Sequence, residues 1–184
     1  MVIGVSGVAR SGKDTFFSLL KSRLEPMGFM CERTAFADKL KEDLSSLIMS
    51  EFNIDINSCS DKDKEMIRPF MVSYGTLARS LNKEHWINKI KSKIFKEQLL
   101  PKTISVITDV RYPNEQLFIK ENFKYHSNVY VERFGKDPAN EEEEKYSPNL
   151  KKQSDYLIYW KNFNVSPEEG LPMIDGFINE RVKM

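Results

Sequence analysis

Residues 7–15 read GVARSGKDT and follow the apolar run VIGV at residues 2–5, with Ser6 between the two. A glycine, four residues, a second glycine and a lysine is the spacing of a phosphate-binding loop. Gly7 and Gly12 leave the backbone amides unobstructed, and a helix that starts at Lys13 offers phosphate its unpaired amides. The alternative is an ordinary glycine-rich turn, but the order strand, loop, lysine and helix favours the phosphate-binding loop.

The residue after the lysine departs from the commonest form of this loop. Asp14 stands where most such loops carry Ser or Thr, and Thr15 follows it. Asp14 either holds magnesium through water or complements the positive end of the helix dipole. Small-molecule kinases of the adenylate kinase type also have Thr one place later, and the loop resembles theirs more than that of a GTPase.

Composition limits the classes of protein to consider. The chain has 184 residues, 28 Lys plus Arg and 27 Asp plus Glu, for a net charge of +1. This balance argues against a nucleic-acid-wrapping or membrane-surface protein. Cys31 and Cys59 form neither a disulfide framework nor a metal-ligand pattern with the two histidines, and free thiols suit a reducing cytosol. We therefore expect a cytoplasmic protein, in the host cytoplasm if the chain is viral.

Apolar strands alternate with amphipathic helices along the chain, which predicts an α/β fold with a central parallel sheet and helices on both faces. We expect a single domain over residues 1–184, built around the phosphate-binding loop. Its parts are a core at 1–36, 101–133 and 154–184, a helical substrate-binding region at about 37–100, and a lid at about 134–153. A final helix is expected to open at Pro172.

Charged residues follow the predicted strands where ligands bind in a parallel sheet, at the carboxyl ends. Asp38 follows the second strand, Asp109 and Arg111 follow the third, and Arg133 follows the fourth. Asp109 after ISVIT has the form of a Walker B acid, which orders magnesium through water. A helix cap is the alternative role for a lone acid at this place.

A helix predicted over residues 65–81 carries two arginines on one face. At about 100° per residue, Arg68, Gly75 and Arg79 lie within a narrow arc, with the arginines about 16 Å apart along the axis. A ligand lying against the glycine would be held from both ends. A solvated polar face is the alternative, and Pro69 is expected to disturb the start of the helix.

Residues 134–153 are polar and show no core pattern, with four glutamates in a row at 141–144. Such a composition predicts a segment without a packed core of its own. Because it lies between two strands whose ends border the expected site, we expect a mobile lid that closes over the phosphates.

Four stretches together resemble the phage-type deoxynucleoside monophosphate kinases. They are SGVARSGKDT, FADKLKE, YGTLAR with Trp86 downstream, and TDVRYPNE. The resemblance covers residues 2 to about 133, and Trp160 stands where the family pattern has asparagine. It implies a P-loop kinase that transfers the γ-phosphoryl group of ATP to a deoxynucleoside monophosphate, with Mg²⁺.

The sequence motifs and the resemblance together predict roles for individual residues. The predicted catalytic residues are Lys13, Arg10, Arg111 and Asp109. Those predicted to bind ATP are Gly7, Ser11, Gly12, Lys13, Asp14, Thr15 and Arg133. Those predicted to bind the acceptor nucleotide are Asp38, Lys41, Arg68, Tyr74, Gly75, Arg79 and Trp86. The metal ligands, acting through water where needed, are Asp14 and Asp109.

Three other functions are compatible with parts of the pattern. Phosphomevalonate kinases of the animal type share a similar SGKD loop, spaced arginines and an acid-x-arginine after a strand. A P-loop ATPase or switch acting on a protein partner is a different class, although the base-reading NKxD segment of a GTPase is missing. A sulfotransferase-like phosphate binder is the third. We expect small-molecule substrates, neither membrane nor nucleic acid as partner, and, from the resemblance, a homodimer as one compatible state.

Overall fold

Among the residues that the computed structural model describes, 1–161 and 165–182, five strands form one parallel sheet in the order β2-β3-β1-β4-β5. Every neighbouring pair is parallel, as the alternation of strands and helices predicts. The strands are β1 (Val2–Ser6), β2 (Met30–Thr34), β3 (Thr103–Val110), β4 (His126–Arg133) and β5 (Tyr156–Trp160).

The connections between strands are helical. The helices are α1 (Lys13–Leu24), α2 (Phe36–Phe52), α3 (Asp61–Leu81), α4 (His85–Gln98), α5 (Pro113–Asn122), α6 (Glu141–Gln153) and α7 (Pro167–Arg181). Within these same described residues, no helix has both the length and the apolar character needed to cross a bilayer.

The central strands are buried on both faces, which explains their near-continuous apolar sequence. Ile3 and Val5 of β1 face a core shared with α1 and α7, where Phe16 and Phe177 pack edge to face with ring centroids 5.5 Å apart. Gly4 points to the opposite face, where a Cβ in its place would meet Ile119 of α5. Helices therefore cover both faces of the sheet, and the predicted fold class is confirmed.

The chain divides into two compact units. The larger consists of Met1–Thr34 with Lys93–Met184 and contains the sheet, and the smaller is Ala35–Ser92. The smaller unit has its own apolar cluster, in which Leu44 and Ile48 of α2 pack with Ile56 and Ile67. Each unit thus has an apolar core of its own.

Three predicted elements differ from the structure. The segment at 134–153 is not a loop throughout, because residues 141–153 form α6 with Ser147 and Leu150 buried. The last helix begins at Pro167 rather than at Pro172, since the Ser166 side chain accepts a hydrogen bond from the Glu169 amide and caps it. Helix α3 starts at Asp61, so Pro69 lies inside it.

Candidate active site

The loop at residues 7–15 leaves the end of β1 and enters α1. Gly7 and Gly12 have φ values of 145° and 96°, a region that L side chains rarely adopt. A Cβ on Gly7 would clash with the carbonyl of Val131 in β4, and one on Gly12 would clash with the side chains of Arg133 and Trp160. The backbone of this loop therefore requires glycine at both positions.

Lys13 folds back over this loop. Its Nζ donates hydrogen bonds to the carbonyls of Gly7 and Val8, both at 2.8 Å. Burial lowers the pKa of Lys13, and nearby Arg111 lowers it further. Three carboxylates oppose this effect on the Lys13 pKa, those of Glu143, Asp109 and Asp14. A phosphate beside Lys13 would favour its charged form in the same way.

The remaining predicted loop residues take different environments. Ser11 is fully buried, whereas Arg10 and Asp14 are exposed and Thr15 is half-buried. Arg10 has a φ of 60°, in the left-handed region that is uncommon outside glycine. Asp14 lies in the first turn of α1, where a carboxylate is favoured by the helix dipole.

The end of β3 carries an irregularity beside the loop. Gly4 of β1 pairs with Ile107, but Ser6 pairs with Val110, so β3 has one extra residue at this point. Bulges of this kind re-aim side chains and are frequent next to active sites. Asp109 lies within the bulge and is partly exposed, unlike the buried residues that precede it in β3.

Arg111 is held in place through its backbone. The carboxylate of Glu115 accepts hydrogen bonds from the Arg111 amide at 2.8 Å and from the Tyr112 amide at 3.1 Å. Glu115 is buried at 2% exposure, while the Arg111 side chain is exposed. Glu115 is thus a positioning residue that the sequence analysis did not single out, although it belongs to the TDVRYPNE motif.

Arg133 and Trp160 lie on the other side of the loop, because β4 and β5 follow β1 in the sheet. Arg133 is the last residue of β4, and both side chains are buried against Gly12. The larger unit therefore brings together the loop, Asp109, Arg111 and Arg133, with Trp160 in place of the expected asparagine.

In the smaller unit, Arg68 and Arg79 lie on one continuous helix despite Pro69. Gly75 differs from the prediction. It is not an open surface for a ligand, because it is buried where a Cβ would approach Leu40 of α2 to 2.9 Å. Its carbonyl accepts hydrogen bonds from the Trp86 indole at 3.3 Å and from the Arg79 guanidinium at 3.4 Å.

Trp86 is likewise buried, at 2% exposure, so it supports α3 rather than offering a surface to a nucleotide. The Tyr74 hydroxyl donates to the Asp43 carboxylate at 3.3 Å, and that carboxylate also pairs with Lys89 at 2.9 Å. Burial and the Asp43 charge raise the pKa of Tyr74. The two other predicted acceptor residues, Asp38 and Lys41, are partly exposed in the first two turns of α2.

No group of three or more His, Cys, Asp or Glu side chains that would hold a metal ion occurs in the described part of the chain. Mg²⁺ in phosphate-transferring sites is usually held by one or two carboxylates together with substrate phosphates and waters. The oxygen donors of Asp109 and Asp14 match this chemistry, and both act on the pKa of Lys13.

Glu143 of α6 is a further residue at the loop that the sequence analysis missed. Its Oε2 accepts a hydrogen bond from the Ala9 amide at 3.0 Å. The sequence carries a signal for the start of α6, because an asparagine followed three residues later by a glutamate is typical of a helix N-terminus. The Asn140 side chain indeed accepts from the Glu143 amide at 2.9 Å.

Neither a protein-family model nor a curated protein matches this chain. Among solved structures, the crystal structure of APE1195 superposes with a TM-score of 0.53 at 13% identity, over 100% of this chain and 97% of that chain. The crystal structure of TT1252 from Thermus thermophilus gives a TM-score of 0.48 at 13% identity, over 100% of this chain and 98% of that chain. The crystal structure of shikimate kinase from Aquifex aeolicus vf5 gives a TM-score of 0.47 at 14% identity, over 99% of this chain and 98% of that chain. Similarity at this identity concerns the fold alone.

Proposed function

We propose that this protein is an ATP-dependent kinase that transfers the γ-phosphoryl group to a deoxynucleoside monophosphate, giving ADP and the deoxynucleoside diphosphate. The observation that carries the proposal is the loop at residues 7–15. Its two glycines are fixed by close backbone and side-chain neighbours, and its lysine lies over the loop. This is the architecture that binds the phosphates of a nucleotide.

Phosphoryl transfer depends on positioning and charge neutralisation more than on covalent chemistry. The acceptor phosphate oxygen attacks the γ-phosphorus, and the bond to the β–γ bridging oxygen breaks. No nucleophilic side chain is needed. Lys13 neutralises the outer phosphates, and Arg10 and Arg111 meet the charge on the transferring group. When bound, Mg²⁺ would neutralise phosphate oxygens further, with Asp109 and Asp14 as its protein ligands.

The remaining ATP contacts in the proposal come from the same unit. Ser11 and Thr15 belong to the loop and the first turn of α1, and Arg133 closes its β4 side. Because the Arg133 guanidinium lies against Gly12, it would add positive charge at the start of α1, where phosphate binds.

The nature of the acceptor rests on the resemblance of FADKLKE, YGTLAR and TDVRYPNE to the phage-type enzymes. Asp38, Lys41 and Tyr74 are proposed to bind the acceptor, and Arg68 and Arg79 to hold its phosphate. Guanidinium groups suit this task because they bind phosphate in a bidentate manner. Gly75 and Trp86 contribute indirectly, since the Gly75 carbonyl fixes both the indole of Trp86 and the guanidinium of Arg79.

A panel of acceptors tests the proposal. ADP formation from ATP is measured with dGMP, dTMP, the matching ribonucleotides, phosphomevalonate, and no acceptor. We expect turnover only with one or more deoxynucleoside monophosphates. Turnover with phosphomevalonate alone would assign a different kinase. ADP formation without any acceptor, stimulated by a protein partner, would indicate an ATPase or switch.

A further inference from the structure

A carboxylate of the chain itself binds the phosphate loop. Glu143 Oε2 accepts hydrogen bonds from the amide of Ala9, inside the loop, and from the amide of Ala139, at 3.0 and 2.9 Å. Backbone amides of such loops are the groups that cradle phosphate oxygens. At the Ala9 amide the carboxylate oxygen therefore takes the place that an anionic ligand oxygen would use.

The rest of α6 is anchored independently of this contact. Leu150 is buried, and its carbonyl accepts a hydrogen bond from Gln116 of α5 at 3.1 Å. Lys151 pairs with Glu132 of β4 at 2.7 Å. The second half of the helix is thus fixed to the sheet whether or not Glu143 contacts the loop.

The first turn of α6 is joined to this anchor by a weakened helical segment. Pro148 lies inside the helix and has no amide to donate to the carbonyl of Glu144. Glu141, Glu142 and Glu144 are exposed, so packing does not hold these side chains. The next packing contact along the helix is that of Tyr146 with the Tyr112 ring, at 5.1 Å between centroids. Four adjacent carboxylates also repel one another. The turn can leave the loop without unfolding the second half of the helix.

Charge makes the contact and phosphate binding mutually exclusive. A carboxylate at the Ala9 amide would lie a few ångströms from a phosphate in the loop, and like charges at such distances repel strongly where solvent is partly excluded. The Glu143 charge also raises the pKa of Lys13, the cation proposed to bind the phosphates.

We infer that Glu143 is an internal competitor for the phosphate site: the first turn of α6 docks on the loop through Ala9, and a polyphosphate ligand must displace it. This inference rests on one part of the proposed function, namely that the loop at residues 7–15 binds phosphate. It reverses the predicted behaviour of the segment at 134–153, since phosphate releases the first turn of α6 rather than drawing it down.

Binding of inorganic tripolyphosphate, measured by titration calorimetry, tests the competition. Glu143→Gln keeps an oxygen that accepts from Ala9 but removes the charge. The apparent affinity for tripolyphosphate equals the affinity of the free loop multiplied by the fraction of molecules in which the loop is free. Because the loss of charge should increase this fraction, we expect the variant to bind tripolyphosphate about tenfold more tightly than the wild type.

Glu144→Gln is the matched control. It removes one carboxylate from the same exposed turn, and so has the same effect on net charge and on the helix dipole. We expect its affinity for tripolyphosphate to stay within about twofold of the wild type, the change left by a solvent-screened charge.

The outcomes separate this inference from the proposed function. If wild-type protein binds tripolyphosphate and Glu143→Gln binds it no more tightly than Glu144→Gln, the competition is refuted and the kinase proposal stands. Weaker binding by Glu143→Gln would show that Glu143 supports the loop, which also refutes it. If none of the three proteins binds tripolyphosphate, both proposals fail.

Hydrogen exchange of the wild-type protein gives a reading that needs no variant. On addition of tripolyphosphate, amides of the loop at 7–15 are expected to become more protected and those at 141–146 less protected. Equal or greater protection at 141–146 would contradict displacement and would favour a closing lid.

Discussion

The two units of this protein hold their candidate ligand groups by different means. In the larger unit the groups are mounted on backbone that is fixed by the sheet: Gly7 lies against β4, and the Arg111 amide is bound by buried Glu115. In the smaller unit they are long side chains on helices, and Arg68 is exposed to solvent. Loop amides and the Lys13 ammonium, which hydrogen-bonds to loop carbonyls, are preorganised, whereas exposed arginine side chains such as Arg68 and Arg111 lose entropy when they bind.

This difference indicates how the proposed tasks are divided. Stabilising charge in a transition state requires donors that do not reorganise during the reaction, which the larger unit provides. Recognising an acceptor phosphate requires bidentate cations that adapt to the ligand, which the smaller unit provides. Substitutions in the larger unit should therefore affect the rate, and those in the smaller unit should affect acceptor affinity.

The largest effect is expected for Lys13→Ala. Removing this cation should lower the rate of phosphoryl transfer by at least about a hundredfold, as for the loss of one preorganised charge. The fold should be retained, because the Lys13 ammonium donates its hydrogen bonds to carbonyls of the loop itself, those of Gly7 and Val8. Steady-state kinetics and circular dichroism measure the two effects. Near-wild-type turnover by a folded variant would remove the loop from the mechanism.

For the smaller unit, Arg79→Ala and Arg68→Ala should weaken binding of the monophosphate on the order of tenfold or more, the usual loss for a charge-assisted hydrogen bond. Binding of ATP should change much less. Titration calorimetry with each nucleotide separates the two, and Lys62→Ala, which removes an exposed cation from the same helix, is the control. Equal monophosphate affinity in all variants would make this face a solvated surface.

Asp109→Asn tests whether the carboxylate in the bulge at the end of β3 contributes to Mg²⁺ binding. The Mg²⁺ concentration for half-maximal rate should rise about tenfold, as for loss of an outer-shell metal ligand. Asp14→Asn should raise it less if Asp14 mainly complements the dipole of α1. Magnesium titrations of the initial rate provide the comparison. An unchanged requirement in Asp109→Asn would assign that side chain a structural role.

The smallest effect is expected for Tyr74→Phe. The lost hydrogen bond to Asp43 should reduce the free energy of unfolding by about 0.5–1 kcal/mol. Denaturant unfolding measures this change. Acceptor affinity should fall less than in Arg79→Ala, because the Tyr74 hydroxyl is already engaged within the unit. A loss of acceptor affinity as large as that of Arg79→Ala would contradict this ranking and would make Tyr74 as important for acceptor binding as the arginine.

The sequence predicted the parallel sheet well because its signals are local. A buried parallel strand reads as an apolar run, and the loop is recognised by glycine and lysine spacing alone. The bulge at Asp109 was not predictable in this way. It depends on the pairing of Ser6 in β1 with Val110 in β3. Both strands are buried almost throughout, so neither has the alternation of polar and apolar residues that would indicate the register.

The helical elements show where periodicity fails. Helix α6 was missed because only Ser147 and Leu150 of its thirteen residues are buried, so no apolar stripe exists to detect. The last helix was predicted to start at Pro172, whereas it starts at Pro167, because the Ser166 side chain caps it there. Helical geometry assigned Gly75 to the polar face of the two arginines, whereas the structure buries it against Leu40 of α2. It could not say that α2, rather than a ligand, covers that face.

The fate of the γ-phosphoryl group tests the central claim most directly. Wild-type protein is incubated with ATP, Mg²⁺ and a deoxynucleoside monophosphate, and the products are followed by phosphorus NMR. The account predicts that ADP and the deoxynucleoside diphosphate appear in equal amounts, and that neither forms when the monophosphate is left out. Release of the γ-phosphoryl group only as inorganic phosphate, at the same rate with and without the monophosphate, would contradict it.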